Sequence, residues 1–133
     1  MFSCQEGSVV RMRQKSGGYK HLTIILNNPT PDYEVVVVNV TGYEDGKDGT
    51  CKLLKDDHPW LYYEKSCITY GDAQIANGEL IEEYVNNYGS IESRFEDSIF
   101  IEILCCAMES DNTPDDVDEF LRNYVDYDEV CIE

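Results

Sequence analysis

Residues 21–41, HLTIILNNPTPDYEVVVVNVT, carry the strongest structural signal in the sequence. Within this stretch, residues 22–26 (LTIIL) and 34–40 (EVVVVNV) are rich in β-branched side chains, which lose rotamer freedom in a helix and pack well on a pleated strand. Residues 27–32 (NNPTPD) lie between them and combine turn-forming side chains with two prolines, which exclude regular structure. The stretch therefore predicts two β-strands joined by a turn.

Three further short strands are predicted on either side of this pair, at residues 8–12 (SVVRM), 50–54 (TCKLL) and 66–70 (SCITY). The connections between strands are rich in glycine and charge, as in residues 14–20 (QKSGGYK) and 42–49 (GYEDGKDG). Five short strands with turn-rich connections, and no helical pattern between them, predict a small antiparallel β-barrel over residues 1–75.

Apolar residues recur at helical spacing in the remaining part of the chain, residues 76–133. Residues 76–88 and 95–108 each carry such a pattern. A third helix is predicted to begin at Thr113 and Pro114, with a capping hydroxyl, proline at the first helical position and acids in the first turn. The expected fold class is α+β: a single domain in which about three amphipathic helices follow the barrel.

The length of 133 residues suits one domain with a real core and is short for two. The longest uninterrupted apolar run, residues 103–108, falls far below the roughly 20 residues that a membrane helix needs. No basic region followed by an apolar stretch opens the sequence, so no secretory leader is expected. The sequence therefore predicts a cytoplasmic protein without a membrane partner.

Charge is distributed very unevenly along the chain. Residues 1–66 hold 8 basic and 9 acidic residues, whereas residues 67–133 hold 2 basic and 18 acidic ones, within a total net charge of −17. Such a field repels phosphate backbones and attracts basic partners. Two interpretations stay open: a surface that competes with nucleic acid for a basic protein groove, and general solubility. The acidic residues predicted to contact a basic partner are Asp115, Asp116, Asp118, Glu119, Asp126, Asp128 and Glu129.

None of the six cysteines forms a C-x-x-C pair, which argues against zinc-ribbon and thioredoxin-like sites. Without a leader, reduced thiols are expected. Cys51, His58 and Cys67 are conceivable metal ligands, but their spacing matches no standard zinc pattern. His58, between an aspartate and a proline, is interpreted as part of a structural turn. Neither a metal nor a cofactor is predicted.

The segment 21–75 resembles a group of small bacterial and phage proteins related to the PemK/MazF toxin superfamily. The resemblance rests on V-N-x-T at residues 38–41, D-H-P-aromatic at 57–60 and S-x-x-x-Y-x-D-A at 66–73, which follow one another in this order. It implies that the barrel is SH3-like. It also implies a homodimer.

The best-known members of this superfamily are endoribonucleases that cleave single-stranded mRNA and are restrained by antitoxins. The resemblance implies a catalytic site containing Thr41 and Asp72, with Lys20 and His21 supplying positive charge or transferring protons. Structural roles are the alternative: Asp72 as a cap for the following helix region, and Thr41 as part of a strand-end turn.

The sequence departs from the superfamily pattern where positive charge is expected. Residues 19–21 (YKH) stand in place of an R-P pair, and Gln74 stands where an arginine often follows the D-A pair. Glutamine cannot replace the charged, paired donors that arginine offers to a developing phosphoryl charge.

Three functions are therefore considered. The preferred hypothesis is a non-catalytic, acidic protein-binding module on the barrel, with a nucleic-acid-mimic inhibitor, such as a phage anti-defence protein, as its specific form. The alternative is an endoribonuclease toxin of a toxin–antitoxin system, the only case in which RNA is a partner. The third is a domain of housekeeping or structural use without an activity of its own.

Overall fold

The computed structural model describes residues 1–13, 20–59, 61 and 64–132, with the backbone alone at Lys20. The strands are β1 (Val9–Arg13), β2 (Lys20–Ile25), β3 (Glu34–Gly42), β4 (Lys52–Leu54), β5 (Lys65–Ile68), β6 (Gln74–Asn77) and β7 (Ser90–Glu92). The α-helices are α1 (Gly78–Asn87), α2 (Asp97–Glu109), α3 (Asp115–Tyr124) and α4 (Tyr127–Cys131), and short 3-10 helices span Lys55–Asp57 and Tyr70–Asp72.

All strand pairs in the sheet are antiparallel, in the order β4-β5-β3-β2-β1-β7. The nine-residue β3 pairs with β2 along one edge, and with both β6 and β5 along the other. Among the described residues no pairing joins β4 to β7, so the sheet is open. The predicted α+β class is confirmed, but the closed SH3-like barrel is wrong. The physical reason is that β7, from the half predicted to be helical, occupies the edge of β1 that closure would need.

The sheet is buried on both faces, which explains why its central strands read as continuous apolar runs. One face, with Ile24 and Val38, packs against a layer that includes Ile103 of α2 and Leu121 of α3. The opposite face packs against α1 and the N-terminal segment in a second cluster. Successive side chains of a strand alternate between these two layers.

The helical half differs from expectation at the start of α3 and in the presence of α4. Thr113 does not cap α3: its hydroxyl donates to the Ala107 carbonyl at 2.6 Å, and Pro114 is the residue that precedes the first turn. The short α4 was not predicted, and the Asp126 side chain caps it by accepting from the Glu129 amide at 3.2 Å. No helix in the described ranges is long and apolar enough to cross a membrane.

A disulfide between Cys105 and Cys131 joins α2 to α4, so the expectation of six reduced thiols is wrong for this pair. The other four cysteines are buried free thiols. Burial and the nearby Glu82 carboxylate raise the pKa of the Cys4 thiol to about 12. Cys4 is therefore a protonated core residue at neutral pH.

Candidate functional site

The sheet face that α1 covers turns polar towards one end. Ile25 and Val35 pack in the α1 cluster, but Thr23 and Asn39 follow them on the same face. The Thr23 hydroxyl donates to the Asn39 side-chain oxygen at 2.7 Å, and both residues are buried. Two polar residues inside strongly apolar strands thus mark the point where the sheet changes from a packing surface to the floor of a cleft.

This sheet cleft, of about 580 Å³, lies beside that polar pair. Its lining residues are His21, Asn39, Thr41, Gly46, Lys47, Asp48, Thr69, Gly71, Asp72 and Asn112.

Three of the four predicted catalytic residues line the sheet cleft. Thr41 lies near the end of β3, opposite Cys67 of β5, and His21 lies on the neighbouring β2. Asp72 ends the 3-10 helix that precedes β6, so its predicted alternative role as a helix cap is wrong. The Lys20 side chain, like most of the basic loop 14–20, lies outside the described residues.

Asp48 is a cleft residue that sequence reasoning missed. Its carboxylate accepts from the Ser110 hydroxyl at 2.6 Å, from the Thr50 hydroxyl at 2.6 Å and from the Thr50 amide at 2.9 Å. Burial raises the pKa of Asp48, but these hydrogen bonds outweigh burial and hold the pKa below its ordinary value. Asp48 therefore stays ionised and ties the β3–β4 loop to the end of α2. The D-x-T spacing is the only local signal that points to this turn.

The described lining of the sheet cleft is poor in fixed positive charge. Lys47 is its one lysine, and the ammonium of Lys47 donates to the Gly42 carbonyl at 2.9 Å. Two carboxylates, Asp48 and Asp72, share the cleft with it. No arginine is among these described lining residues, in line with the departures from the superfamily pattern. The described lining can position a hydroxyl and a histidine but offers weak stabilisation to the extra negative charge that the phosphoryl oxygens share in the transition state of phosphodiester cleavage.

His58 has a structural environment. The side chain is buried, with its Nε2 hydrogen-bonded to the Ser93 carbonyl and its ring 4.7 Å from the Phe95 ring centroid. Across the described part of the chain, no three His, Cys, Asp or Glu side chains are placed to hold a metal ion.

The seven predicted partner-binding carboxylates lie on α3, on α4 and at the residue before α4, and together they form what we call the acidic surface. Asp118 pairs with Arg122 at 3.1 Å, and Asp126 caps α4. The other five side chains are exposed, and within the described residues they accept no hydrogen bond and form no ion pair. They are Asp115, Asp116, Glu119, Asp128 and Glu129.

The sequence matches no protein-family model, and no curated protein matches it. The likeness to PemK/MazF proteins therefore rests on the motifs quoted above.

Proposed function

We propose that this protein is an acidic protein-binding module whose partner is a basic, nucleic-acid-binding protein of the cytoplasm. The observation that carries the proposal is the acidic surface, where five exposed carboxylates have no partner among the described residues. Four of the five lie in the first turn of α3 or α4, where they interact favourably with the helix dipole, but no side chain of the described fold neutralises their charge.

A fixed array of carboxylates on helices presents negative charge as a phosphate backbone does. It attracts a basic groove at long range, and its binding releases counterions from both surfaces. A protein that fills such a groove excludes the nucleic acid from it. The specific form of the proposal is therefore an inhibitor that mimics nucleic acid, of the kind that phage anti-defence proteins represent.

Displacement of DNA tests this proposal. A labelled duplex bound to a lysine-rich linker histone serves as the probe, and the protein is titrated in at low and at physiological salt. We expect the duplex to be displaced, with an apparent affinity that falls steeply as salt rises. An acidic-surface variant replaces the five unpaired carboxylates by Asp115→Asn, Asp116→Asn, Glu119→Gln, Asp128→Asn and Glu129→Gln.

A charge-matched control separates the surface from the bulk charge. Five exposed acids outside the acidic surface are neutralised instead, as Glu44→Gln, Asp45→Asn, Asp56→Asn, Glu64→Gln and Glu83→Gln. The two variants carry the same net charge. We expect the acidic-surface variant to lose displacement and the control to keep it. Equal loss in both would show a bulk-charge effect and overturn the proposal.

The sheet cleft supports a second candidate, an endoribonuclease of the PemK/MazF kind. The observation in its favour is that His21, Thr41 and Asp72 line one cleft although they lie far apart in sequence. In this proposal His21 transfers protons and Thr41 positions the phosphate. Asp72 orients His21 or Thr41, and Lys20 adds positive charge. The homodimer that the resemblance implies belongs to this candidate.

Cleavage of a long single-stranded RNA at low salt tests the second candidate. Thr41→Ala and Asp72→Asn should each abolish cleavage, whereas Asp32→Asn, on an exposed aspartate outside the cleft, should not. No cleavage by a folded wild-type protein, beside a working nuclease control, would eliminate the candidate. Cleavage that persists in both cleft variants would indicate a contaminant.

A further inference from the structure

A groove runs between α2 and the segment that contains the end of α3 and α4. We call it the helical groove, and its volume is about 600 Å³, within the range of sites that bury a ligand. The disulfide between Cys105 and Cys131 fixes α4, one of its walls, to α2. Its apolar lining comes from Phe100, Ile101, Leu104, Tyr124, Val125 and Val130.

Three of these apolar side chains are exposed in the middle of the most charged part of the chain. Ile101 and Val130 are each 41% exposed and Tyr124 is 54% exposed. An apolar patch with a polar rim marks an interaction site more often than a single exposed apolar residue does. Here the patch lies in a concave site that the described fold keeps open.

The rim of the helical groove selects the charge of its occupant. Four acidic residues, Glu6, Asp97, Asp126 and Glu129, are among its lining residues. Arg94 is the one basic residue in this described lining, and its guanidinium donates to the Glu6 carbonyl. An occupant therefore needs an apolar face for the floor and positive charge for the rim.

We propose that the helical groove binds a basic amphipathic helix of the partner protein. Apolar residues at helical spacing insert between Ile101, Tyr124 and Val130, while flanking lysines or arginines face the rim carboxylates. A second copy of this chain is a poor occupant, because its own helices are acidic and like charges would be brought together. The inference rests on the proposed function, and it names the segment of the partner that is recognised.

A pair of synthetic peptides provides the probe. One is an 18-residue leucine–lysine peptide with leucines at helical spacing, and the other has the same composition with the leucines scrambled so that no apolar face forms. Fluorescence anisotropy with the full, oxidised chain should show the amphipathic peptide binding at least ~10-fold more tightly. Equal affinity for both peptides would overturn the inference.

Matched substitutions place the binding site. The groove variant combines Ile101→Gln with Val130→Gln, and the control combines Leu80→Gln with Ile91→Gln, whose side chains are 65% and 62% exposed outside the groove. We expect the groove variant to bind the amphipathic peptide ~10-fold more weakly and the control to bind it as wild type does. An unchanged affinity in the groove variant would overturn the inference.

A lysine homopolymer separates this inference from the proposed function. The homopolymer has no apolar face, so its binding should be lost in the acidic-surface variant and kept in the groove variant. If the homopolymer behaves in this way but the amphipathic peptide binds the groove variant as tightly as wild type, the groove is not the binding site and the proposed function still stands. Undiminished binding of both probes to the acidic-surface variant would remove the proposed function itself. If the wild-type chain self-associates and the groove variant does not, the occupant of the groove is a second copy of the chain, and the inference of a basic partner helix is overturned.

Discussion

The sheet cleft and the acidic surface use carboxylates in opposite ways. In the cleft, the Asp48 carboxylate accepts three hydrogen bonds and connects the β3–β4 loop to α2. On the acidic surface, five carboxylates of α3 and α4 have no partner within the described residues. The first arrangement stabilises the fold, whereas the second leaves the charge available to another molecule. Variants of both regions test this division, and removal of the disulfide that joins α2 to α4 comes first.

Removal of the disulfide should have the largest effect on stability. The double variant Cys105→Ala with Cys131→Ala removes a cross-link between residues 26 positions apart in sequence. In the chain-entropy model, its loss lowers the free energy of unfolding by about 3–4 kcal/mol. The five-residue α4 is too short to persist alone, so its amides should exchange first. Urea unfolding and hydrogen exchange measure both effects.

A reducing agent provides the control for this prediction. It should destabilise the wild-type protein by a similar amount and leave the double variant unchanged, because the variant has no disulfide to lose. Glutathione in a cytoplasm acts in the same direction, so α4 and the groove that it borders should be less stable there than in oxidised protein. A double variant as stable as wild type would show that packing alone holds α4.

Elements that depend on local interactions were predicted from the sequence, whereas elements that depend on contacts between distant residues were not. Strands β1 to β5 were predicted from local signals, of which the β-branched runs of β2 and β3 are the strongest. The three-residue β7 was missed because it depends on the free edge of β1, and that one pairing also turns the expected barrel into an open sheet. The helix α4 was missed because a short helix depends on tertiary contacts, here the disulfide to α2.

The candidate sites divide in a similar way. Thr41 and Asp72 were named from ordered motifs and His21 from the place where the superfamily pattern expects positive charge, and the structure brings all three to one cleft. Asp48 was missed because its partner Ser110 lies 62 residues further along the chain, and no local pattern reports such a contact. Exposure of the acids of α3 follows directly from helical periodicity, since Val117 and Leu121 fix the buried face.

Asp48→Asn should lower the unfolding free energy by about 1–3 kcal/mol, because the Ser110 and Thr50 donors lose a charged acceptor in a partly buried site. Glu119→Gln, on the acidic surface, should change it by less than about 0.5 kcal/mol. Thermal or urea unfolding of the two variants compares the two kinds of carboxylate directly. Similar losses would contradict the division between them.

The pH dependence of stability sharpens the same comparison. The pKa of Asp48 is lower in the folded chain than its ordinary value of 3.8, with burial opposing the shift and the Ser110 and Thr50 hydrogen bonds producing it. A lowered folded pKa contributes stability that is complete above the unfolded value and is lost as pH falls through the folded one. The difference in stability between wild type and Asp48→Asn should therefore be constant near neutrality and shrink in acid below about pH 3.8. A difference that grows on acidification would exclude an ionised Asp48.

A small effect is also expected for Asp118, a carboxylate of the acidic surface that has a cationic partner. Its contact with Arg122 is a partly exposed pair one helical turn apart, so Asp118→Asn should cost only about 0.3–0.5 kcal/mol, and the cost should vanish in 1 M salt. A loss of unfolding free energy above about 1.5 kcal/mol would show that the acidic surface contributes substantially to the stability of the fold. A loss as small as expected means that even its paired acid contributes little to the fold. The negative charge on α3 and α4 then contributes mainly to the helix N-termini and to solubility, and it stays available to the basic partner that we propose.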